Sequence, residues 1–175
     1  MMEGMTRENA VALVVALTWS RTRARLNQAN ETVRRLAMVD ELTGLANRRG
    51  VGLLAEQYLR MARRNHQELV LVYMDLDDFK AINDTLNHVV ADERVLLPFV
   101  EKLKKAVRDD DLVGRFGGEE FTIMLRRTNI ENSRELIRKL LTEVNSMMVE
   151  GLQRSIGVSI GVAEVQAGED IQQAV

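Results

Sequence analysis

The stretch VGRFGGEEF, Val113 to Phe121, sets two glycines between apolar runs and follows them at once with two carboxylates. LVGRF and FTIML are rich in β-forming residues, and a Gly-Gly pair between two such runs predicts a tight two-residue hairpin turn. That grammar accounts for Gly117 and Gly118 but asks nothing of Glu119 and Glu120. Charge is ordinary on a solvated hairpin shoulder, so the rest of the chain must decide what these two residues do.

Upstream, ELVLVYMDLDDF holds an apolar run from Leu69 to Met74 that reads as a buried central strand, with Asp75 where the strand ends. FKAINDTL then predicts a short helix. Val95 to Val107 predicts a longer one, with Leu96, Phe99, Val100, Leu103 and Val107 on one face. Pro98 is tolerated in the first turn of that helix and would cost about 3 kcal/mol deeper inside. Beyond the hairpin, TNIENSRELIRKLLTEV opens with a capping box, Thr128 to Glu131, and continues as a helix. SIGVSIGVAEV is a strand with Ile156, Val158, Ile160 and Val162 on one face. Before all of these, DELTGLANRRG makes a Thr-Gly turn and restarts a helix capped by Asn47, with Leu54, Tyr58, Met61 and Ala62 on its apolar side. This order predicts an α+β domain, a central, mainly antiparallel sheet flanked by helices in a ferredoxin-like or polymerase-palm arrangement.

The chain's 175 residues are 46% hydrophobic, enough for one domain with a real core plus an appendage. Its 24 basic and 26 acidic residues show only short basic patches, which argues against nucleic acid as a partner. Cysteine is absent, excluding disulfides, thiolate zinc sites and cysteine nucleophiles. With only His66 and His88 as imidazoles, a metal would be held mainly by oxygen, which favours a hard cation such as magnesium.

Residues 1–39 read as a separate signalling or dimerisation segment and 40–175 as the folded domain. From Arg7 to Val39 there is no Gly or Pro, and Trp19, Thr22, Leu26, Ala29, Val33 and Leu36 follow 3-4 spacing, predicting one long helix with a narrow seam. Its work is to pair with a second copy or join an upstream module; folding back onto its own domain is the alternative. AVALVVALTW, Ala10 to Trp19, is too short to span a bilayer, which takes about 20 residues in a helix. It lacks the flanks of a signal peptide, but it fits the tail of a membrane helix that starts upstream.

In the expected fold, DLDD at the end of the central strand lies beside GGEE on the neighbouring hairpin. Carboxylates from adjacent strand ends suit magnesium, which typically takes one or two of them plus substrate phosphates. A side-chain-free turn lets a nucleotide approach the backbone. Amides near Asp78, aided by Lys80, suit phosphate, although Asp77 and Asp78 taken singly read more readily as helix caps. Together these features suggest phosphoryl chemistry on a metal-bound nucleotide.

DELTGLANRRG, MDLDDFKAIND, GRFGGEEF and SIGVSIGVA occur in the order and approximate spacing of the GGDEF domains, the diguanylate cyclases, and the chain resembles that family from Asp40 to about Ala163. The resemblance implies condensation of two GTP into cyclic di-GMP with release of two pyrophosphates, across a homodimer whose half-sites each bring one GTP. It implies magnesium, with manganese as a substitute, held by Asp75, the carbonyl of Leu76, Glu119 and Glu120. Glu119, Glu120 and Lys80 form the implied catalytic set, with Glu119 assisting deprotonation of the attacking 3′-hydroxyl. Asp78, Phe79, Lys80, Asn83, His88, Asp92, Gly117 and Gly118 form the implied GTP site, in which Asn83 reads guanine together with Asp92 or, alternatively, Glu93. RDDD resembles the RxxD motif of an inhibitory product site, so Arg108 and Asp111 are expected to bind cyclic di-GMP; a helix-ending Arg before a polar loop is the plain alternative. The resemblance places the domain in the cytoplasm, with the inner membrane as an anchor for a longer protein.

Two departures accompany it. NHVVAD, Asn87 to Asp92, stands where the family reads GHxxGD; Asn87 can take a turn glycine's conformation, whereas Ala91 has no such excuse, and the following helix is one residue longer than expected. The chain stops at Val175, before the family's final ALYxAK-like helix, so the C-terminal end reads as truncated. The runner-up function is a weak or silent GGDEF-like domain that binds GTP or cyclic di-GMP as a sensor.

Overall fold

Alternation along LVLVYMDL shapes the domain. Val70, Val72, Met74 and Leu76 point to one side of the sheet, while Leu69 and Leu71 point to the other, and all six are buried. A strand apolar on both faces has to lie inside a sheet covered on both sides. The computed structural model describes Leu17 and residues 19–23, 38–152 and 155–165. It divides into two units, Met1–Ala37 and Met38–Val175.

In the second unit, β1 (Ala46–Asn47) leads into α1 (Arg48–Asn65) and β2 (Leu69–Leu76). Next come α2 (Phe79–Leu86), α3 (His88–Ala91), a π-helical turn over Asp92–Leu96 and α4 (Leu97–Ala106). The hairpin β3 (Leu112–Arg115) and β4 (Glu120–Arg126), α5 (Ile130–Asn145) and β5 (Val158–Glu164) complete the order. The strands lie β1-β3-β4-β2-β5, antiparallel except for β1 against β3. The predicted α+β architecture is the observed one; the short β1 was not anticipated, because two residues carry no period. On one face, Val70, Val72, Met74 and Leu76 pack with Phe79, Ile82, Phe99, Leu103 and Leu140. On the other, Leu69, Leu71, Leu112 and Met124 pack under Val51, Ala55, Leu59 and Ala62 of α1. Asn47 caps α1 as expected, accepting from the amide of Gly50 at 2.9 Å.

Three local expectations are corrected. The hairpin is not a two-residue turn: Arg115 pairs with Phe121, and neither Gly117 nor Gly118 takes the left-handed backbone that a tight primed turn requires. The helix after the hairpin is capped by Asn129, whose side chain accepts from Asn132 at 2.9 Å, while the Thr128 hydroxyl is engaged by the carbonyl of Arg126. The helix expected from Val95 is the end of a helical run that starts at His88.

In that run the amide of Leu97 donates to the carbonyl of Asp92, five residues back. A π turn accommodates one extra residue without breaking the helix, which accounts for the additional residue before RDDD. It also precedes Pro98, which has no N–H for the regular ladder. Asn87 does take a positive φ of 67° and caps α3 through Val90. Ala91 lies in ordinary helix with φ −63°, fully buried, where a methyl group packs and no glycine is needed.

Leu17 and Trp19–Arg23 are helical and exposed. The rest of the predicted seam, including Leu26, Val33 and Leu36, and the chain beyond Val165 lie outside the described residues. Among the described residues, no helix is long and apolar enough to cross a membrane.

Candidate active site

Register brings the carboxylates together. Asp75 stands directly opposite Glu120 across β2 and β4, and the amide of Leu76 donates to the carbonyl of Glu119 at 3.2 Å. DLDD and GGEE are therefore neighbours in the sheet. Partial burial pushes the Asp75 carboxyl above its ordinary range, and the charges of Glu120 and Asp77 push it further in the same direction. Among the described residues no group of three or more His, Asp or Glu side chains forms a ready-made metal cage. A donor set of Asp75, the Leu76 carbonyl and the glutamates nevertheless fits magnesium, which completes its shell with water and substrate phosphate, and a cation here would relieve the crowding at Asp75.

Glu120 is itself held. The Tyr73 hydroxyl donates to its Oε1, and its Oε2 lies beneath Gly117, where a Cβ would collide with it. A side chain at Gly117 would therefore have to displace the Glu120 carboxylate; Gly118 faces open space and leaves room for a ligand. Burial raises the Tyr73 phenol to about 12, reinforced by its bond to Glu120 and the charges of Glu120 and Asp75, with Arg48 opposing. Tyr73 meets Phe116 edge-on at 6.0 Å, and the Arg48 guanidinium lies 4.8 Å over the Phe116 ring.

Around the start of α2, Asp77 is not a helix cap. Its amide donates to the carbonyl of Gly157 at 3.0 Å, and its carboxylate accepts from the Ser159 hydroxyl at 2.7 Å, tying the loop to β5. Asp78 occupies the cap position in left-handed backbone, φ 56°, without a side-chain capping bond. The Phe79 side chain is buried in the core, so its backbone alone can meet a phosphate, while Lys80 is exposed. Asn83 carries the one buried side-chain polar atom without a partner among the described residues, its Oδ1. Such an orphan acceptor is costly unless a donor arrives, and a guanine edge supplies N–H donors. His88 and Glu93 are exposed and Asp92 is half-buried.

Arg108 and Asp111 lie elsewhere. Asp111 accepts from the amides of Arg108 at 3.0 Å and of Arg126 at 2.9 Å, and Arg126 ends β4, six residues after Glu120. At about 3.4 Å per residue this is roughly 20 Å from the carboxylate pair. Arg108 and Asp111 line a groove of about 340 Å³ against α5, together with Lys139 and Glu143.

Sequence reasoning missed Tyr73, Arg115, Asp40 and Ser159. Tyr73 had a signal, being two residues before Asp75 on the same strand face. Arg115 had none, since its guanidinium reaches the carbonyls of Gly117 and Gly118 at 3.1 and 2.8 Å and the Asp40 carboxylate at 3.1 Å, a convergence that exists only once the chain is folded.

Residues 37–175 match the family model described as diguanylate cyclase, GGDEF domain. The chain is 35% identical over 141 residues to the diguanylate cyclase DgcP of Pseudomonas aeruginosa, covering 79% of this chain and 21% of that protein. It is 37% identical over 147 residues to the diguanylate cyclase DgcM of Escherichia coli, covering 82% of this chain and 34% of that protein. The chain thus spans about a fifth to a third of these relatives. Among solved structures it resembles the coiled coil and GGDEF domain of DgcB from Caulobacter crescentus in complex with c-di-GMP, with a TM-score of 0.78, 27% identity and coverage of 93% of this chain and 87% of that one. With four motifs in order, DLDD and GGEE side by side on one sheet, and a family match over most of its length, this chain belongs to the GGDEF domain family.

Proposed function

We propose that the protein is a diguanylate cyclase, joining two GTP into cyclic di-GMP and releasing two pyrophosphates. The observation that carries the reading is the pairing of Asp75 with Glu120 in register, with Glu119 bonded through its carbonyl to Leu76. Each bond forms when the 3′-hydroxyl of one GTP attacks the α-phosphorus of the other. A domain holding one GTP offers one reacting face, so two copies must meet.

The residues have distinct work in this reading. Asp75, the Leu76 carbonyl, Glu119 and Glu120 hold magnesium or manganese, which when bound neutralises phosphate charge and lowers the barrier to attack. Glu119 takes the proton of the attacking hydroxyl. The amides from Asp78 to Lys80 and the Lys80 ammonium orient the phosphates, Asn83 meets guanine with Asp92 or Glu93 beside it, His88 lines the nucleotide site, and Gly118 leaves it open. In the groove against α5, Arg108 grips cyclic di-GMP as a product inhibitor. Asp111 supports that site by holding the loop, and its carboxylate oxygens keep lone pairs for guanine N–H groups. GTP as substrate fits a cytoplasmic domain.

Incubation of the chain with GTP and magnesium, followed by chromatography, tests the reading: cyclic di-GMP and pyrophosphate should accumulate in a 1:2 ratio. GTP binding with no product under magnesium or manganese would overturn it in favour of a nucleotide sensor.

A further inference from the structure

We infer that Tyr73 is a positioning residue for the reaction, its hydroxyl fixing the Glu120 carboxylate on the sheet face it shares with Asp75. The inference rests on the reading of Glu120 as part of the metal site. Tyr73 lies opposite Thr122 in the β2–β4 register, and Asp75 lies opposite Glu120. Tyr73 and Glu120 are therefore diagonal neighbours on one face, a separation that long side chains bridge. The Tyr73 hydroxyl donates to Oε1 of Glu120. The other oxygen, Oε2, lies where a Cβ on Gly117 would stand. A carboxylate tied through one oxygen to a fixed donor keeps a preferred orientation, so Oε2 stays available on one side.

The hydroxyl is itself fixed. The Tyr73 ring is wedged edge-on against Phe116 at 6.0 Å and 74°, and Phe116 carries the Arg48 guanidinium on its face. Central strand, hairpin loop and the first residue of α1 thus converge on one phenol. The ring and the hydroxyl have separate uses: the ring fills space, and the hydroxyl orients Glu120. Removing the oxygen alone leaves the packing and frees the carboxylate. Losing such an outer partner of a ligand commonly costs 10- to 100-fold in metal affinity or activity.

The test uses the purified chain, Tyr73→Phe, Tyr73→Met, Glu120→Gln and Tyr73→Phe combined with Glu120→Gln. Mn2+ affinity is read by electron paramagnetic resonance with a non-hydrolysable GTP analogue present, alongside thermal melting, kcat and KM. Tyr73→Phe should melt with the parent, weaken Mn2+ binding about tenfold, lower kcat and leave the KM for GTP within about twofold. Tyr73→Met should weaken Mn2+ binding to the same extent but melt below the parent, because it also loses the ring packed against Phe116. In the Glu120→Gln background Tyr73→Phe should add nothing, because an uncharged amide no longer holds the cation whichever way the hydroxyl turns it. Parent-level Mn2+ affinity in Tyr73→Phe, an undiminished Tyr73 effect in the Glu120→Gln background, or a parent that binds no Mn2+ overturns the inference. A parent that binds Mn2+ but makes no cyclic di-GMP, with Tyr73→Phe still weakened, sinks the proposed reaction and leaves the role of Tyr73 standing.

Discussion

Arg115 and Asp40, 75 positions apart in the sequence, are joined by a guanidinium–carboxylate pair at 3.1 Å. The same guanidinium donates to the carbonyls of Gly117 and Gly118, so one side chain fastens the signature loop to the segment that opens the domain. Asp40 in turn accepts from the amide and hydroxyl of Thr43 at 2.9 and 2.6 Å, and the Lys104 ammonium donates to the Thr43 carbonyl at 3.2 Å. The loop that presents Glu119 and Glu120 is therefore shaped by contacts from outside the hairpin.

Replacing Arg115 by Ala should destabilise the domain by about 1–3 kcal/mol, because it leaves a half-buried carboxylate and two carbonyls without their charged donor. Arg115→Lys should not restore the loss, since one ammonium cannot span three acceptors held by a planar fork. Urea unfolding of both variants checks this; full recovery in the Lys variant contradicts it.

Asp40 carries a pH signature. Burial raises its pKa, but the Thr43 hydroxyl and amide and the Arg115 guanidinium outweigh that and leave it below its ordinary value. A carboxyl depressed by folding stabilises the native state above its unfolded pKa, and that stabilisation is lost as pH falls through the folded value. Asp40→Asn should therefore be less stable than the parent at pH 7 and converge on it as pH falls through the lowered folded pKa of Asp40. Denaturant midpoints across that range decide it; a gap that stays constant with pH would show that charge is not the cause.

Gly117→Ala and Gly118→Ala should differ. A methyl at Gly117 collides with the Glu120 carboxylate, so metal-dependent turnover should fall at least about tenfold even at saturating GTP. A methyl at Gly118 meets nothing in the protein, so stability should be unchanged while GTP binding weakens. Thermal melts and calorimetry with GTP separate the two; equal behaviour refutes the assignment.

Glu119→Gln should abolish turnover and leave the fold intact, because the side chain sits at a partly exposed loop and contributes little to packing. Cyclase activity at the parent level would refute its role.

Arg108→Ala should remove tight cyclic di-GMP binding without raising the KM for GTP, because Arg108 and Glu119 lie at opposite ends of the β3–β4 hairpin. Calorimetry showing unchanged product affinity would exclude the groove as the inhibitory site.

Much of this molecule was legible in the linear chain. The two-sided apolar run of β2, the Asn47 cap and the helix from Phe79 to Leu86 follow from period and residue type, which act over a few positions, and the adjacency of DLDD to GGEE follows from the fold class that the order of elements predicts. The turn at Gly117–Gly118, the cap at Asn129 and the π turn were misjudged or missed, because each is settled by competition among nearby groups. Asn129 and Thr128 compete to cap one helix; one extra residue is absorbed where Pro98 already weakens the ladder. The side-chain network of Tyr73 with Glu120, Arg115 with Asp40 and Ser159 with Asp77 joins residues 47, 75 and 82 positions apart. The sequence by itself determined which chemistry is present and in which strands and loops it sits. Only the tertiary structure decided which carboxylate is held, from which side and by what, because contacts across such separations depend on the register and packing of the whole sheet, to which no local pattern responds.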